Sequence, residues 1–186
     1  MVLPLRQCYQ LIFGKDKKSV IGAELLTREF PINEETDLCI FIQNVKVAEK
    51  LSRRLGVPVH VNLLPNTLKY INWESIKHLK DLIVLEIVEK QLKREDVIYL
   101  NRMREVGFKV ALDDFGVGYS NFHLLDLFPF DYVKADGEVL SKFPELSKYL
   151  KGTSFLIAEK RTDVEADGYQ SFSLHYPEPV ERLLCG

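Results

Sequence analysis

An ionisable or amide side chain stands at or near the end of almost every apolar run in this chain. Glu24 lies near the end of the run Ser19–Leu26, Asn62 near the end of Val57–Leu64, and Glu86 within Leu82–Val88. Asp113 and Asp114 follow Phe108–Leu112, Lys134 and Asp136 close Tyr132–Ala135, Glu159 follows Ser154–Ala158, and Gln170 lies in Tyr169–Leu174. A charge in such a setting is costly unless it is paired or bound to metal. Any one of these groups is explained as a helix cap or a salt-bridge partner. A set with one or two members per strand is not. It restricts the chain to folds that bring many strand ends to one place.

The segments between these runs point the same way. Cys8–Phe13 and Ser19–Leu26, separated by Gly14-Lys15-Asp16-Lys17-Lys18, form a hairpin signal. Leu38, Phe41, Ile42, Val45, Ala48, Leu51 and Leu55 recur at helical steps up to Gly56. A weaker helix is expected over Thr67–Leu79, a firmer one over Lys93–Val106, and short ones over Ser120–Leu127 and Pro179–Leu184. Glu138–Leu150 reads as a helix interrupted at Pro144. A hairpin followed by six strands that mostly alternate with helices favours a parallel sheet with crossover helices. In a parallel barrel the strand ends converge on one face, where active sites form.

Length argues both ways. The 186 residues suit one domain, and residues 1–186 are read as one. A full (β/α)8 barrel typically needs about 250 residues. The expectation is therefore an α/β chain folded as a trimmed TIM-like barrel, with shortened or missing helices. The formal net charge of −2 excludes a binder of nucleic-acid polymers held by bulk charge. Cys8, Cys39 and Cys185 form no CxxC pair, which predicts buried free thiols in a reducing compartment. The first residues do not read as a signal peptide, and no run is long enough to span a membrane. A cytoplasmic location without membrane contact is expected.

Five carboxylates and an asparagine converging on one face call for a cation. Oxygen ligands of this kind suit Mg²⁺ or Mn²⁺. Two such ions would hold a phosphodiester and activate water for in-line attack.

The segment Val110-Ala111-Leu112-Asp113-Asp114-Phe115-Gly116-Val117-Gly118-Tyr119-Ser120 resembles the DDFGTGYS signature of the EAL domain, the bacterial cyclic di-GMP phosphodiesterase module. Further matches run in the family's order. Tyr9-Gln10-Leu11-Ile12 resembles YQPI, Gly22–Arg28 resembles GxEALLR, and Val61-Asn62-Leu63 resembles VNLS. Leu85–Glu89 resembles LEITE, Asp131–Asp136 resembles DxLKID, Ala158-Glu159 resembles the start of AEGVET, and Gln170-Ser171-Phe172 stands where the family has QGY. A kinase reading of Asp114-Phe115-Gly116 fails, because the chain has neither an HRD loop nor a VAIK strand. His60, His78, His123 and His175 form no metal-binding pair and are read as structural or surface residues.

The resemblance implies that Glu24, Asn62, Glu86 and Asp113 ligate a first divalent ion and that Asp114 helps bind a second. It implies that Lys134 polarises the nucleophilic water and that Glu159 is a general base or a metal-site partner. Gln170 would serve the second metal or the water. Arg28 and Asp136 would bind substrate, Gln10 would touch a guanine, and Glu89 would anchor the loop Phe115–Asn121. The implied reaction is hydrolysis of cyclic di-GMP to linear pGpG. A homodimer or a regulatory protein partner stays open.

The chain departs from the family at several points. Leu25 replaces the alanine of the name-giving tripeptide, and Val117 replaces the loop threonine. Lys160-Arg161-Thr162-Asp163 replaces GVET, so Thr162 stands for a glutamate that Asp163 would partly replace. Ser171 replaces a glycine. Segments are short after Arg28, between Lys134 and Glu159, and before Gln170. These departures leave two other readings open: a degenerate domain that binds the nucleotide without cleaving it, and a barrel kept for protein interaction.

Overall fold

The computed structural model describes residues 6–27, 34–88, 92–116 and 122–184. Arg28, Glu89, Cys185 and the loop residues 117–121 lie outside these. The strands are β1 (Gln7–Gly14), β2 (Val20–Thr27), β3 (Val59–Asn62), β4 (Ile83–Val88), β5 (Lys109–Phe115), β6 (Tyr132–Asp136), β7 (Phe155–Glu159) and β8 (Gly168–Gln170). They pair in the order β2 to β8, then β1, and β1 pairs back to β2, which closes an eight-stranded barrel. β2 to β8 run parallel, and β1 is antiparallel to both neighbours. A two-residue strand, β9 (Glu178–Pro179), pairs with Cys8 and Tyr9.

The expected hairpin, the barrel and its reduced helices are all present. The helices are α1 (Glu34–Leu55), α2 (Val97–Val106), α3 (Phe122–Leu127), α4 (Gly137–Lys142), α5 (Pro144–Lys151) and α6 (Val180–Leu184). α1 turns Ile40, Phe41, Val45, Ala48 and Leu51 to the sheet and ends at Gly56, whose φ of 72° favours glycine. The interruption at Pro144 splits α4 from α5. Residues 160–167, between β7 and β8, carry no helix.

Three expectations need correction. Thr67–Leu79 is not an α-helix but two 3₁₀ segments, Pro65–Tyr70 and Trp73–Leu79. Ile71 and Asn72 between them are extended, and the Asn72 side chain accepts from Ser75 N, which restarts the chain in a new direction. The eighth strand stops at Gln170 instead of Leu174, because Leu174 N and His175 N fold back to Ser171 O. The thiols of Cys8 and Cys39 are free, but half-buried instead of buried.

Strand alternation divides the sheet into two chemistries. Ala23, Leu25, Val59, Val61, Ile83, Leu85, Ile87, Val110, Leu112, Val133, Ala135, Leu156 and Ala158 face outward and form the main apolar core beneath the helices. The opposite face lines the barrel. Its lower part is apolar or small, with Ile12, Gly22, Val84, Ala111 and Ile157. Its upper part holds Gln10, Glu24, His60, Glu86, Lys134 and Gln170, all buried. Because β1 is antiparallel, Gln10 near its start reaches the same rim as the residues near the ends of the other strands.

Candidate active site

Lys134 is the centre of the polar layer. Its Nζ lies 2.9 Å from Glu24 Oε2, 3.1 Å from Glu86 Oε1, 3.2 Å from Asp113 Oδ1 and 3.4 Å from Glu159 Oε1. The side chain is 1% exposed. The acidic ring therefore has a cation supplied by the chain itself, where charge arithmetic on the sequence calls only for metal. Burial opposes the ammonium, yet the four surrounding carboxylates hold its pKa well above the usual lysine range.

The acids divide by environment. Glu24 accepts from Lys134 and from Gln170 Nε2 (2.6 Å) on Oε2, and from Asn62 Nδ2 (2.9 Å) on Oε1. Burial raises its pKa, but these donors outweigh burial and bring it down to about 2. Glu86 is fully enclosed and is pushed well up by burial and by the neighbouring charge of Glu24. Burial also raises Asp113, and brings Glu159 to about 7.

His60, one layer below, is buried with its Nδ1 2.7 Å from Glu86 Oε1. Burial, reinforced by Lys134, lowers its pKa to about 3. A neutral imidazole donating from Nδ1 to Glu86 fits these facts. Its position two residues before Asn62 was the available signal, since alternate residues share a strand face. His175 is structural as expected: its Nδ1 accepts from Leu11 N. His78 and His123 are on the surface.

Asp113 and Asp114 should point to opposite faces of β5. They do not, because the β5–β6 register is irregular between Leu112 and Phe115 and Asp114 adopts φ 58°. Aspartate tolerates this left-handed conformation better than most residues. As a result Asp113, Asp114 and Glu159 each offer a carboxylate oxygen within 4.8 Å of one another. Two buried oxygens nearby, Asp113 Oδ1 and Gln170 Oε1, make no hydrogen bond. Asp113 Oδ1 is close to Lys134 Nζ without the alignment of a hydrogen bond. Hard oxygen donors with unused acceptor capacity fit a divalent cation such as Mg²⁺, Mn²⁺ or Ca²⁺.

A cavity of about 450 Å³ opens onto this group, lined in part by Gln10, Glu24, Asp113, Lys134, Glu159 and Gln170. Asn62 and Glu86 lie outside its lining, engaged with Glu24 and with His60 and Lys134. Gln10 faces the cavity with both amide atoms bonded, Nε2 to His175 O and Oε1 to Gln170 Nε2. Asp136 accepts from Glu138 N at the start of α4 and from Lys160 Nζ. Leu25 points away from Glu24 into the outer core, so its bulk does not crowd the acid beside it. Asp163 is taken up by the Arg161 guanidinium on the surface and does not stand in for the missing glutamate at Thr162.

Gly137 packs against the end of β7. A Cβ there would lie 2.7 Å from Glu159 O and 2.6 Å from Arg161 Cβ. Gly137→Ala is expected to destabilise the fold by about 1–3 kcal/mol, because backbone must move. Thermal unfolding followed by circular dichroism measures this. A melting point equal to that of the parent would show that β7 yields freely.

The EAL domain model matches residues 31–159. The chain belongs to the EAL domain family. It is 32% identical over 124 residues to the probable cyclic di-GMP phosphodiesterase PdeA of Escherichia coli K12, a match covering 60% of the chain and 17% of that relative. It is 24% identical over 189 residues to the cyclic di-GMP phosphodiesterase PdeA of Borreliella burgdorferi, covering 83% of the chain and 28% of that relative. The chain thus spans less than a third of either. Among solved structures, the EAL domain of Mycobacterium smegmatis DcpA superposes with a TM-score of 0.73 at 22% identity, covering 97% of this chain and 96% of that one. The manganese and cyclic di-GMP complex of Klebsiella pneumoniae BlrP1 gives 0.77 at 21% identity, covering 96% and 57%. A calcium and cyclic di-GMP complex of the same protein gives 0.74 at 22%, covering 95% and 58%. These likenesses bear out the barrel.

Proposed function

We propose that residues 1–186 act as one EAL-type domain, a metal-dependent phosphodiesterase that hydrolyses cyclic di-GMP to linear pGpG in the cytoplasm. The observation that carries this reading is the group Asp113, Asp114 and Glu159 beside Lys134, of which Asp113, Glu159 and Lys134 line a cavity large enough to admit part of a dinucleotide. The printed names of the relatives and the ligands of the BlrP1 complexes support it. Among the described residues no helix is long and apolar enough to cross a membrane.

The residues act as follows. Asp113, Asp114 and Glu24 would hold divalent ions, Mg²⁺ or Mn²⁺, with Asn62 and Glu86 completing the set by small side-chain movements. Such ions supply a water of lowered pKa and neutralise charge at the phosphorus. Lys134 donates to the attacking water and to the charge that develops on the phosphate. Glu159 accepts the proton of that water. Gln170 orients the water through its free Oε1 and keeps Glu24 ionised through Nε2. Arg28 contacts substrate, Asp136 supports its binding from behind the cavity wall, Gln10 reaches a guanine through a rearranged amide, and Glu89 anchors the loop over the site.

Incubation with cyclic di-GMP and Mn²⁺ is expected to yield pGpG, and Glu24→Ala and Asp113→Ala each to remove turnover. Tight binding without product would replace this reading with a nucleotide receptor. Absence of binding would leave a protein-interaction module. Turnover that survives both substitutions would show the metal site to lie elsewhere.

A further inference from the structure

Lys160 is a lysine in a conformation that suits glycine. Its φ is 66°, and Arg161 N donates to Glu159 O at 2.7 Å across it, closing a three-residue turn of the strained, left-handed kind. The surroundings impose this. Lys160 N donates to Gln170 O at 2.9 Å and Lys160 O accepts from Ser171 Oγ at 2.9 Å, so both of its peptide groups are tied to the strand beside it. A non-glycine residue is costly here, and strained residues of this kind cluster at active sites.

The side chain stands in the wall of the active-site cavity. Lys134 and Lys160 are the cations among the lining residues. They differ in availability. Lys134 is enclosed by four carboxylates, whereas Lys160 is 67% exposed. Its Nζ donates to Asp136 Oδ2 at 2.5 Å, and Asp136 is itself fixed by Glu138 N at the start of α4. An ammonium has three donors. One is spent on an anchored carboxylate, which restricts where the head can go and leaves two for other acceptors.

The cavity wall is otherwise acidic at Glu24, Asp113 and Glu159. A cyclic dinucleotide with two phosphates meets repulsion there unless cations offset it. We propose that Lys160 binds a phosphate of the substrate at the cavity mouth, with Asp136 as the strut that holds its ammonium in place. Asp136 then serves substrate binding through Lys160 instead of by direct contact. The proposal rests on the phosphodiesterase reading above and adds to it a residue of its own.

Lys160→Gly removes the cation and fits the turn; Lys160→Arg keeps the cation. With Mn²⁺, KM for cyclic di-GMP is expected to rise about five- to tenfold in Lys160→Gly, with the loss in KM and not in kcat. The dissociation constant measured by calorimetry in Ca²⁺ buffer should rise by a similar factor, and Lys160→Arg should recover most of both. A KM and a dissociation constant within twofold of the parent, in a protein that turns over normally, would overturn the proposal and leave Lys160 as a counter-ion of Asp136. A fall in kcat with unchanged KM would overturn it too, by placing the lysine in the chemical step. A parent chain that neither binds nor cleaves cyclic di-GMP would remove the phosphodiesterase reading, and this one with it.

Discussion

Lys134→Met is expected to lower the stability of the metal-free protein by about 3–5 kcal/mol at pH 8, the usual cost of removing one partner from a buried ionic cluster. Methionine nearly matches the stem in volume, so packing is a minor part of the loss. The larger part is electrostatic. Glu24, Glu86, Asp113 and Glu159 all lie within 3.4 Å of the ammonium, and among the described residues none has another lysine or arginine as close. Without it, like charges face each other in a closed space. The acids respond by holding protons, and Glu86 and Glu159 are already inclined to do so. The deficit should therefore shrink as pH falls. Urea unfolding at pH 8 and at pH 5.5 reads this directly, with a smaller difference between variant and parent at the lower pH. Equal stability at pH 8 would mean that the carboxylates are not charged around Lys134 at all. Turnover should fall about 10²–10³-fold, the scale set by loss of a preorganised electrostatic donor. Glu86→Gln added to Lys134→Met should return part of the stability and none of the activity.

The pattern of polar residues at strand ends was legible because ionised groups in aliphatic runs need a reason, and the order of the motifs added a family to it. What it does not carry is depth. Lys134 reads as one strand-end residue among several, yet its long stem lets its charge meet acids from four strands. Alternation also puts Asp113 and Asp114 on opposite faces, and only the register shift with its left-handed aspartate brings them together. Leu25 shows the reverse, since adjacency in sequence to Glu24 becomes opposition across the sheet. The helix expected over Thr67–Leu79 failed where Asn72 offered its side chain to the backbone in place of a continuing turn. Shortness was an accurate warning. Loss of helix after β3 and between β7 and β8 leaves the barrel closed, because the strands and their inward residues do not depend on each crossover being a full helix.

A divalent ion is expected to reverse the pH dependence of stability between pH 6.5 and 8. In that window folded His60 is neutral, its pKa lying at about 3, whereas an unfolded histidine is about half protonated at pH 6.5 and neutral by pH 8; His60 thus adds about 0.4 kcal/mol as pH rises, less than the acids take away. Glu24, down at about 2, is ionised in both. The acids that change are those raised by burial. Glu159 has a folded pKa of about 7, and Glu86 lies well above its ordinary value. An acid of this kind keeps its proton in the fold after the unfolded chain has lost it. Its stabilising contribution is full below about pH 4.5 and is lost as pH rises through the folded pKa. Metal-free protein should therefore weaken from pH 6.5 to 8, by about 1 kcal/mol from Glu159 and by more with Glu86, at 1.36 kcal/mol per unit. For a chain of this size each kcal/mol moves the melting point by about 2–4 °C. A metal acts the other way, since it takes the deprotonated carboxylates and binds more tightly as they ionise. At a hundredfold excess over its dissociation constant it adds about 2.7 kcal/mol. Melting points in a chelator should fall across this window, and those in Mn²⁺ should stay level or rise. Two parallel curves would mean that the ion does not bind the acids that titrate, and the grouping of Asp113, Asp114 and Glu159 would then be an accident of the bulge in β5.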